Sequence, residues 1–294
     1  MPYVIETKGL TKIYGSLYAL KDLDLTLEEG NILGYLGPNG SGKTTTIKLL
    51  LGLIYPTSGT INIFGKESSK NFKEIHKDLA YVASEPAFWP NLTAKETLYF
   101  FSKFKDNYDL DYQNKLIKRF DLDINKKIRQ YSRGNRQKIA IISALARRSK
   151  LIIMDEPSTG LDPIMEQVFK ESIFEAKENG QTIFLSSHIL EEVEAICDQI
   201  AILKNGKLIE FGSLEKLKHL NQTKFEVYFN NQKPVLSKNK NIINLKIEKE
   251  KMTFQVVGPT NEILAEVLKY KPNRIYSLPT SLEDLFLSVY KNTK

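Results

Sequence analysis

A lysine and a threonine behind three glycines give this chain its first chemical possibility. The stretch Gly37-Pro38-Asn39-Gly40-Ser41-Gly42-Lys43-Thr44 fits the pattern G-x-x-x-x-G-K-[ST] at every fixed position. Such a loop cradles phosphate. The glycines at 37, 40 and 42 admit backbone angles closed to other residues, so successive N–H groups turn inward onto an anion. The run from Thr45 to Leu53 reads as a helix, and its N-terminus adds a positive dipole end. Lys43 would then reach the β- and γ-phosphates, the Thr44 hydroxyl would hold Mg2+, and Thr45 would complete the binding stretch.

A second group of residues bears on the same chemistry. Leu151-Ile152-Ile153-Met154 is a continuous apolar run, as in a strand buried on both faces, and Asp155-Glu156 follow it. At the end of such a strand Asp155 supports Mg2+ through Thr44 or water. Glu156 comes next, placed to orient or deprotonate an attacking water. Taken alone, the run is equally a buried strand that ends in two acids. The phosphate loop upstream gives the acids a purpose.

These side chains need elements to hold them. Residues 3–10 and 22–27 read as strands with Tyr14 in the loop between them, and Leu23, Leu25 and Leu27 alternate with Asp24, Thr26 and Glu28. Asn31 to Leu36 is the strand before the phosphate loop, entered through a Glu29-Gly30 turn. Further strands are expected at 60–64 and 79–83. From Thr93 to about Arg129 the chain turns helical, opened by a Thr93/Glu96 capping box. A helix over 163–179, a buried strand over 181–187 and a helix over 189–197 follow, then a hairpin of 199–203 and 207–211 through Asn205-Gly206. Alternating strands and helices predict an α/β fold with a mostly parallel sheet, which places ligands at the C-terminal ends of its strands. After about residue 220 the composition shifts, and strands near 224–229, 242–248, 252–257 and 274–278 with helices over 260–270 and 281–290 describe a small α+β module.

The 294 residues are 41% apolar and carry a net charge of +7, enough for real cores under a basic surface. That charge suits a solvated lysine-rich face, anionic lipid headgroups or, more weakly, nucleic acid. Cys197 stands alone, which excludes an internal disulfide, points to a reducing compartment and reads as a core residue. The start MPYVIETKGL lacks the pattern of a signal peptide, and no apolar run reaches the roughly 18 residues of a membrane span. A membrane role is therefore expected to come through a partner.

Further motifs fix the kind of phosphate chemistry. Tyr131-Ser132-Arg133-Gly134-Asn135-Arg136-Gln137 precedes the acids, and Ser158-Thr159-Gly160-Leu161-Asp162 and His188 follow them. This order, over residues 3 to about 215, resembles the ATP-binding subunit of ABC transporters. The resemblance implies a P-loop NTPase with a parallel core sheet, an antiparallel β subdomain and a helical subdomain over about 93–145. Residues 1–220 would be the ATP-binding domain and 221–294 a small α+β domain. It also implies ATP and Mg2+, and a head-to-tail pair of subunits that sandwich ATP between one phosphate loop and the other's signature motif.

Tyr131 to Asn135 stands where the family has L-S-G-G-Q: Ser132 and Gly134 match, while Arg133 and Asn135 differ. Read by itself, Ser132 caps a helix, a position that also suits a γ-phosphate. His188 resembles the switch histidine that contacts γ-phosphate, and Asp162 the loop acid that signals across the dimer, while also capping a helix before Pro163. Tyr14 resembles the aromatic that stacks on adenine. Ser84 occupies the place of a glutamine that touches Mg2+ and the attacking water, with Glu85 next. Serine is too short to do the same directly, so a bridging water or Glu85 would substitute, and turnover would be slow.

The segment from Glu85 to Thr97, with Trp89 exposed between prolines, is expected to form the groove for a cytoplasmic helix of a membrane subunit. The short tail and the ending Ser281-Leu282-Glu283-Asp284-Leu285-Phe286-Leu287 resemble ATPases of exporters for drugs, antibiotic peptides and polysaccharides. The partners implied are a second ATPase subunit, identical or paralogous, and an integral membrane permease, with no nucleic acid. The implied location is cytoplasmic, against the inner face of the membrane. Two rival readings are a soluble ATPase acting on ribosomes or DNA and a nucleotide switch with little hydrolysis. The single ATPase unit and the absence of a coiled-coil insert speak against the first; Glu156 and His188 speak against the second.

Overall fold

Long strands with one apolar face open the chain in the computed structural model, which describes residues 3–104, 108–214, 223–230, 241–256 and 259–279. Strands β1 (Tyr3–Tyr14) and β2 (Leu17–Glu28) pair antiparallel, and β4 (Ser58–Ile63) and the two-residue β5 (Lys66–Glu67) extend them in the order β2-β1-β4-β5. Leu23, Leu25 and Leu27 are buried, whereas Asp24 points to water, as the alternation required. Tyr14 is the last residue of β1 and not part of a loop. The ladder continues past residue 10 because β1 takes register shifts between Thr7 and Leu10 and between Leu10 and Lys12, which keep it paired where the alternation breaks.

The second sheet runs β10-β9-β3-β8-β7-β6. Its members are β3 (Ile32–Leu36), β6 (Leu79–Val82), β7 (Leu151–Asp155), β8 (Thr182–Ser187), β9 (Gln199–Lys204) and β10 (Lys207–Ser213). The pairs β3/β8, β3/β9, β6/β7 and β7/β8 are parallel. Every residue of β3, β7 and β8 is buried, consistent with a sheet covered on both faces. The register sets Leu36 beside Ser187, Asp155 beside Ser186 and Val82 beside Met154. The C-terminal ends of β3, β8, β7 and β6 therefore share one edge.

Helices α1 (Lys43–Leu50), α2 (Ser68–Lys77), α3 (Ala94–Ser102), α4 (Leu110–Arg119), α5 (Arg133–Ala146), α6 (Pro163–Glu178) and α7 (Leu190–Ile196) complete this part. The core joins Ile47 and Leu50 of α1 to Leu33 and Tyr35 of β3, Ile153 of β7 and Phe184 of β8. Each such side chain, fully buried, contributes about 1.5–3 kcal/mol relative to exposure. The Thr93/Glu96 capping box forms as expected: Glu96 N–H donates to Thr93 Oγ1 at 3.2 Å and Thr93 N–H to the Glu96 carboxylate at 2.7 Å. The helical stretch after it is broken into α3, α4 and a 3-10 turn at Ile128–Gln130. Helix α2 has no clear sequence signal: SSKNFKEIHK is mostly polar, and Asn71 leaves helical angles at φ −124°. Ile189, expected on a buried stripe, is exposed at 36% and only caps α7, while Val193, Ile196 and Cys197 are buried.

By packing, the chain divides into two units, Met1–Phe211 and Gly212–Lys294, earlier than the composition change suggests. The second unit carries an antiparallel sheet ordered β12-β13-β11-β14, from β11 (Thr223–Tyr228), β12 (Ile242–Glu248), β13 (Lys251–Val256) and β14 (Arg274–Pro279), with α8 (Asn261–Leu268). Phe225, Val227, Met252, Phe254, Ile263 and Val267 form its core. The helix expected over 281–290 and the exporter-like ending from Ser281 to Leu287 lie outside the described residues.

Candidate active site

The loop that leaves β3 becomes the first turn of α1 without a spacer. Gly42 is the N-cap, in a left-handed conformation at φ 112°, so Lys43 and Thr44 are already helical, two residues before the sequence suggested. A Cβ on Gly42 would stand 2.7 Å from the Ala19 carbonyl oxygen; space as well as angle requires glycine there. Gly40 also has a positive φ, 79°, but Gly37 does not: it is needed for room, since a Cβ would strike Ser41 Oγ and lie 2.8 Å from the Leu203 carbonyl oxygen. The Ser41 hydroxyl is buried with no hydrogen-bond partner, an orphan a bound oxyanion would satisfy. Pro38, Asn39 and Thr44 face solvent and Thr45 is half-buried.

Lys43 lies at the centre of this cradle. Its ammonium donates to the carbonyls of Gly37 at 2.6 Å and Pro38 at 3.3 Å, and sits 3.8 Å from Glu156 Oε1. Burial pushes its pKa down, against the pull of the Glu156 and Asp155 carboxylates. The Thr44 hydroxyl donates to Asp155 Oδ2 at 3.4 Å. Asp155 is 2% exposed and accepts a 2.5 Å hydrogen bond from Ser186 Oγ. Glu156 takes a left-handed backbone at φ 47°, and its N–H donates to the Ser186 carbonyl at 3.0 Å. That conformation is unusual for a side-chain-bearing residue, and it turns the carboxylate from the strand toward Lys43 and His188. His188 Nδ1 lies 3.3 Å from Glu156 Oε2. Tyr81, on β6, has its phenol pushed up to about 12 by partial burial, with the Asp155 charge adding.

One sheet edge thus gathers Lys43, Thr44, Asp155, Glu156 and His188. Thr44 and Asp155 offer hard oxygens, the donors Mg2+ takes together with waters and phosphate oxygens. Among the described residues no group of three His, Cys, Asp or Glu side chains could hold a metal by itself.

A second cluster holds Ser132, Gly134 and Asp162. Ser132 Oγ caps α5, accepting from Asn135 N–H at 3.3 Å. Gly134 packs so tightly that a Cβ would strike the Gly160 carbonyl oxygen. Asp162 Oδ1 caps α6, accepting from Met165 N–H at 3.0 Å, with Pro163 in the first turn. Among the described residues no hydrogen bond or ion pair joins Ser132 or Gly134 to Lys43 or Thr44. Tyr14 stands apart, half exposed at 48%, with the Lys12 ammonium 5.1 Å from its ring centre. Ser84 is half-buried, and its carbonyl accepts from Arg133 Nη2 at 3.3 Å. The sequence reading missed Ser186, whose signal was a serine pair ending an otherwise apolar strand, and Gln137, fully buried with its amide donating to the Ala83 carbonyl at 3.2 Å.

Known proteins share this fold. The pattern of the ABC transporter family matches residues 20–159. The bacitracin transport ATP-binding protein BcrA of Bacillus licheniformis is 40% identical over 79% of this chain and 77% of its own length. A solved ATP-binding subunit of an ABC transporter superposes with a TM-score of 0.68 at 31% identity, covering 74% of this chain and 92% of that one. A dimeric ATP-binding cassette in a post-hydrolysis state, bound to ADP and Pi, superposes with a TM-score of 0.63 at 27% identity, over 71% of this chain and 98% of that one. The chain belongs to the ATP-binding subunits of ABC transporters and is an ATPase.

Proposed function

We propose that this ATPase drives an exporter through a separate integral membrane subunit. The reading rests on the meeting of Thr44 with Asp155 and of Lys43 with Glu156 at the glycine loop. Gly37 to Thr45 hold the triphosphate, Lys43 exchanging its bonds to the loop carbonyls for phosphate oxygens. Thr44 and Asp155 would hold Mg2+, which would neutralise charge on the phosphates, and Ser84 would act there only through water. Glu156 aligns and deprotonates the attacking water, and His188 contacts the γ-phosphate from the Glu156 side.

Ser132 and Gly134 of a second copy or paralogue close over the γ-phosphate, Asp162 faces the same junction, and Tyr14 stacks on adenine. The dimeric post-hydrolysis relative supports this pairing, and the relative named for bacitracin transport supports a peptide antibiotic or similar amphiphile as cargo. Residues 1–220 act as the ATP-binding domain on the inner face of the membrane, with 221–294 as its attachment.

The permease is taken up in a groove of about 500 Å³ lined by Tyr81, Pro86, Phe88, Phe101 and Phe104 among others. Beside it Trp89 stands edge-on to Phe100, ring centres 4.9 Å apart. The aromatic lining suits the apolar face of a helix. The test is co-purification of the tagged chain from detergent-solubilised membranes of its own cells. A multi-span protein is expected with the wild type and should fall at least tenfold, ~1.4 kcal/mol or more of binding, with Phe101→Glu. Recovery without any membrane protein, or equal recovery with the variant, contradicts the reading.

A further inference from the structure

Two of the positions at which this chain departs from its family's pattern touch each other. Arg133, where the family has glycine, opens α5; Ser84, where it has glutamine, follows β6. Arg133 Nη2 donates to the Ser84 carbonyl at 3.3 Å and lies 3.6 Å from Glu85 Oε1. The Arg133 stem passes over Gly160, where an added Cβ would stand 3.7 Å and 3.8 Å from Cγ and Cδ. One turn further along the same helix face, the buried Gln137 amide holds the Ala83 carbonyl at 3.2 Å. The first turns of α5 therefore grip Ala83, Ser84 and Glu85 in succession. Ala83, Pro86, Ala87 and Phe88 line the groove described above.

The two grips differ in kind. Gln137 is fully buried, whereas the Arg133 and Glu85 side chains are 45% and 78% exposed. An exposed ion pair is weak and easily exchanged, which suits a latch. Displacing the loop from the groove side pulls on the guanidinium, and through it on the turn that carries Ser132 and packs Gly134 against Gly160.

We propose that Arg133 is a positioning residue that latches the loop from Ala83 to Phe88 onto the start of α5, so that occupation of the groove is transmitted to the Ser132 end of that helix through this side chain. Only the last step, the effect on nucleotide, rests on the function proposed above.

Two measurements on the full chain test it. The first needs no nucleotide: backbone amide exchange over 83–90 in wild type, Arg133→Met, which keeps the stem over Gly160, and Arg133→Lys. Exchange should rise about threefold to fivefold in Arg133→Met, as expected for loss of an exposed charged contact, and less in Arg133→Lys. The second uses Trp89, the chain's single tryptophan, beside the latched loop. ATP with Mg2+ should change its emission in wild type; at equal occupancy, read by displacement of a fluorescent nucleotide, the change should fall by at least half in Arg133→Met and recover partly in Arg133→Lys. Exchange indistinguishable between wild type and Arg133→Met overturns the latch. So does an emission response that Arg133→Met leaves intact, or none in ATP-bound wild type. A wild type that binds no ATP overturns the nucleotide reading instead, and the exchange result still decides the latch.

Discussion

Glu192 carries a carboxyl almost wholly out of water, at 4% exposure, beneath the strand end that presents His188. The Ser187 hydroxyl donates to it at 2.7 Å. Burial raises its pKa above 4.5, opposed by the hydrogen bonds from Ser187 and Ser158, with Glu166 adding to the rise and Lys170 opposing it. A carboxyl whose folded pKa lies above its unfolded value stabilises the fold below the unfolded pKa and loses that contribution as pH climbs through the folded one. Glu192→Gln keeps the shape and cannot ionise. Its melting temperature is expected to gain on wild type as pH rises above the ordinary carboxylate range, each unit of raised pKa being worth ~1.4 kcal/mol. A difference that does not change with pH would mean Glu192 ionises as freely folded as unfolded.

At this scale the sequence was legible where one residue type serves one chemistry: Lys43, Thr44, Asp155, Glu156 and His188 meet at one edge. It was not legible where a side chain acts by supporting another. Ser186 reads as an ordinary strand residue until β7 is set beside β8, and Gly37 reads as an angle when it is a space.

Among the elements, one tight joint lies between the start of α5 and the loop before α6. Gly134 lies against the Gly160 carbonyl with no room for a methyl group. Gly134→Ala must push the two apart, which moves the Ser132 cap. We expect the variant to bind ATP at its own cradle with unchanged affinity and to lose at least tenfold in turnover, the cost of a catalytic group misplaced by an ångström or less. Equal loss of binding and turnover would assign Gly134 to general stability. Strand β2 was legible only over 22–27 and begins at Leu17, whereas elements with strong continuous apolar signals, such as β3, β7 and β8, could be read directly. Helix α2 could not, being polar and kinked at Asn71, nor could the full length of β1, whose register shifts interrupt its alternation.

For the molecule as a whole, local sequence is silent on which strands become neighbours. Strand β3 pairs with β8 and β9, which come more than a hundred residues later, and only that order delivers the phosphate loop and the acids to one edge. The net charge is +7, and among the described residues no helix is long and apolar enough to cross a membrane. Among the described residues no hydrogen bond or ion pair joins the cradle to the Ser132 cap; the proposed function completes the site with a second copy, as the dimeric relative suggests. Sedimentation velocity of Glu156→Gln tests that most directly, since it keeps the cradle and removes the base. With ATP and Mg2+ the variant is expected to sediment as a dimer and to return to monomer when ATP is removed or Lys43→Ala is added. A nucleotide-saturated Glu156→Gln that stays monomeric would contradict the shared site.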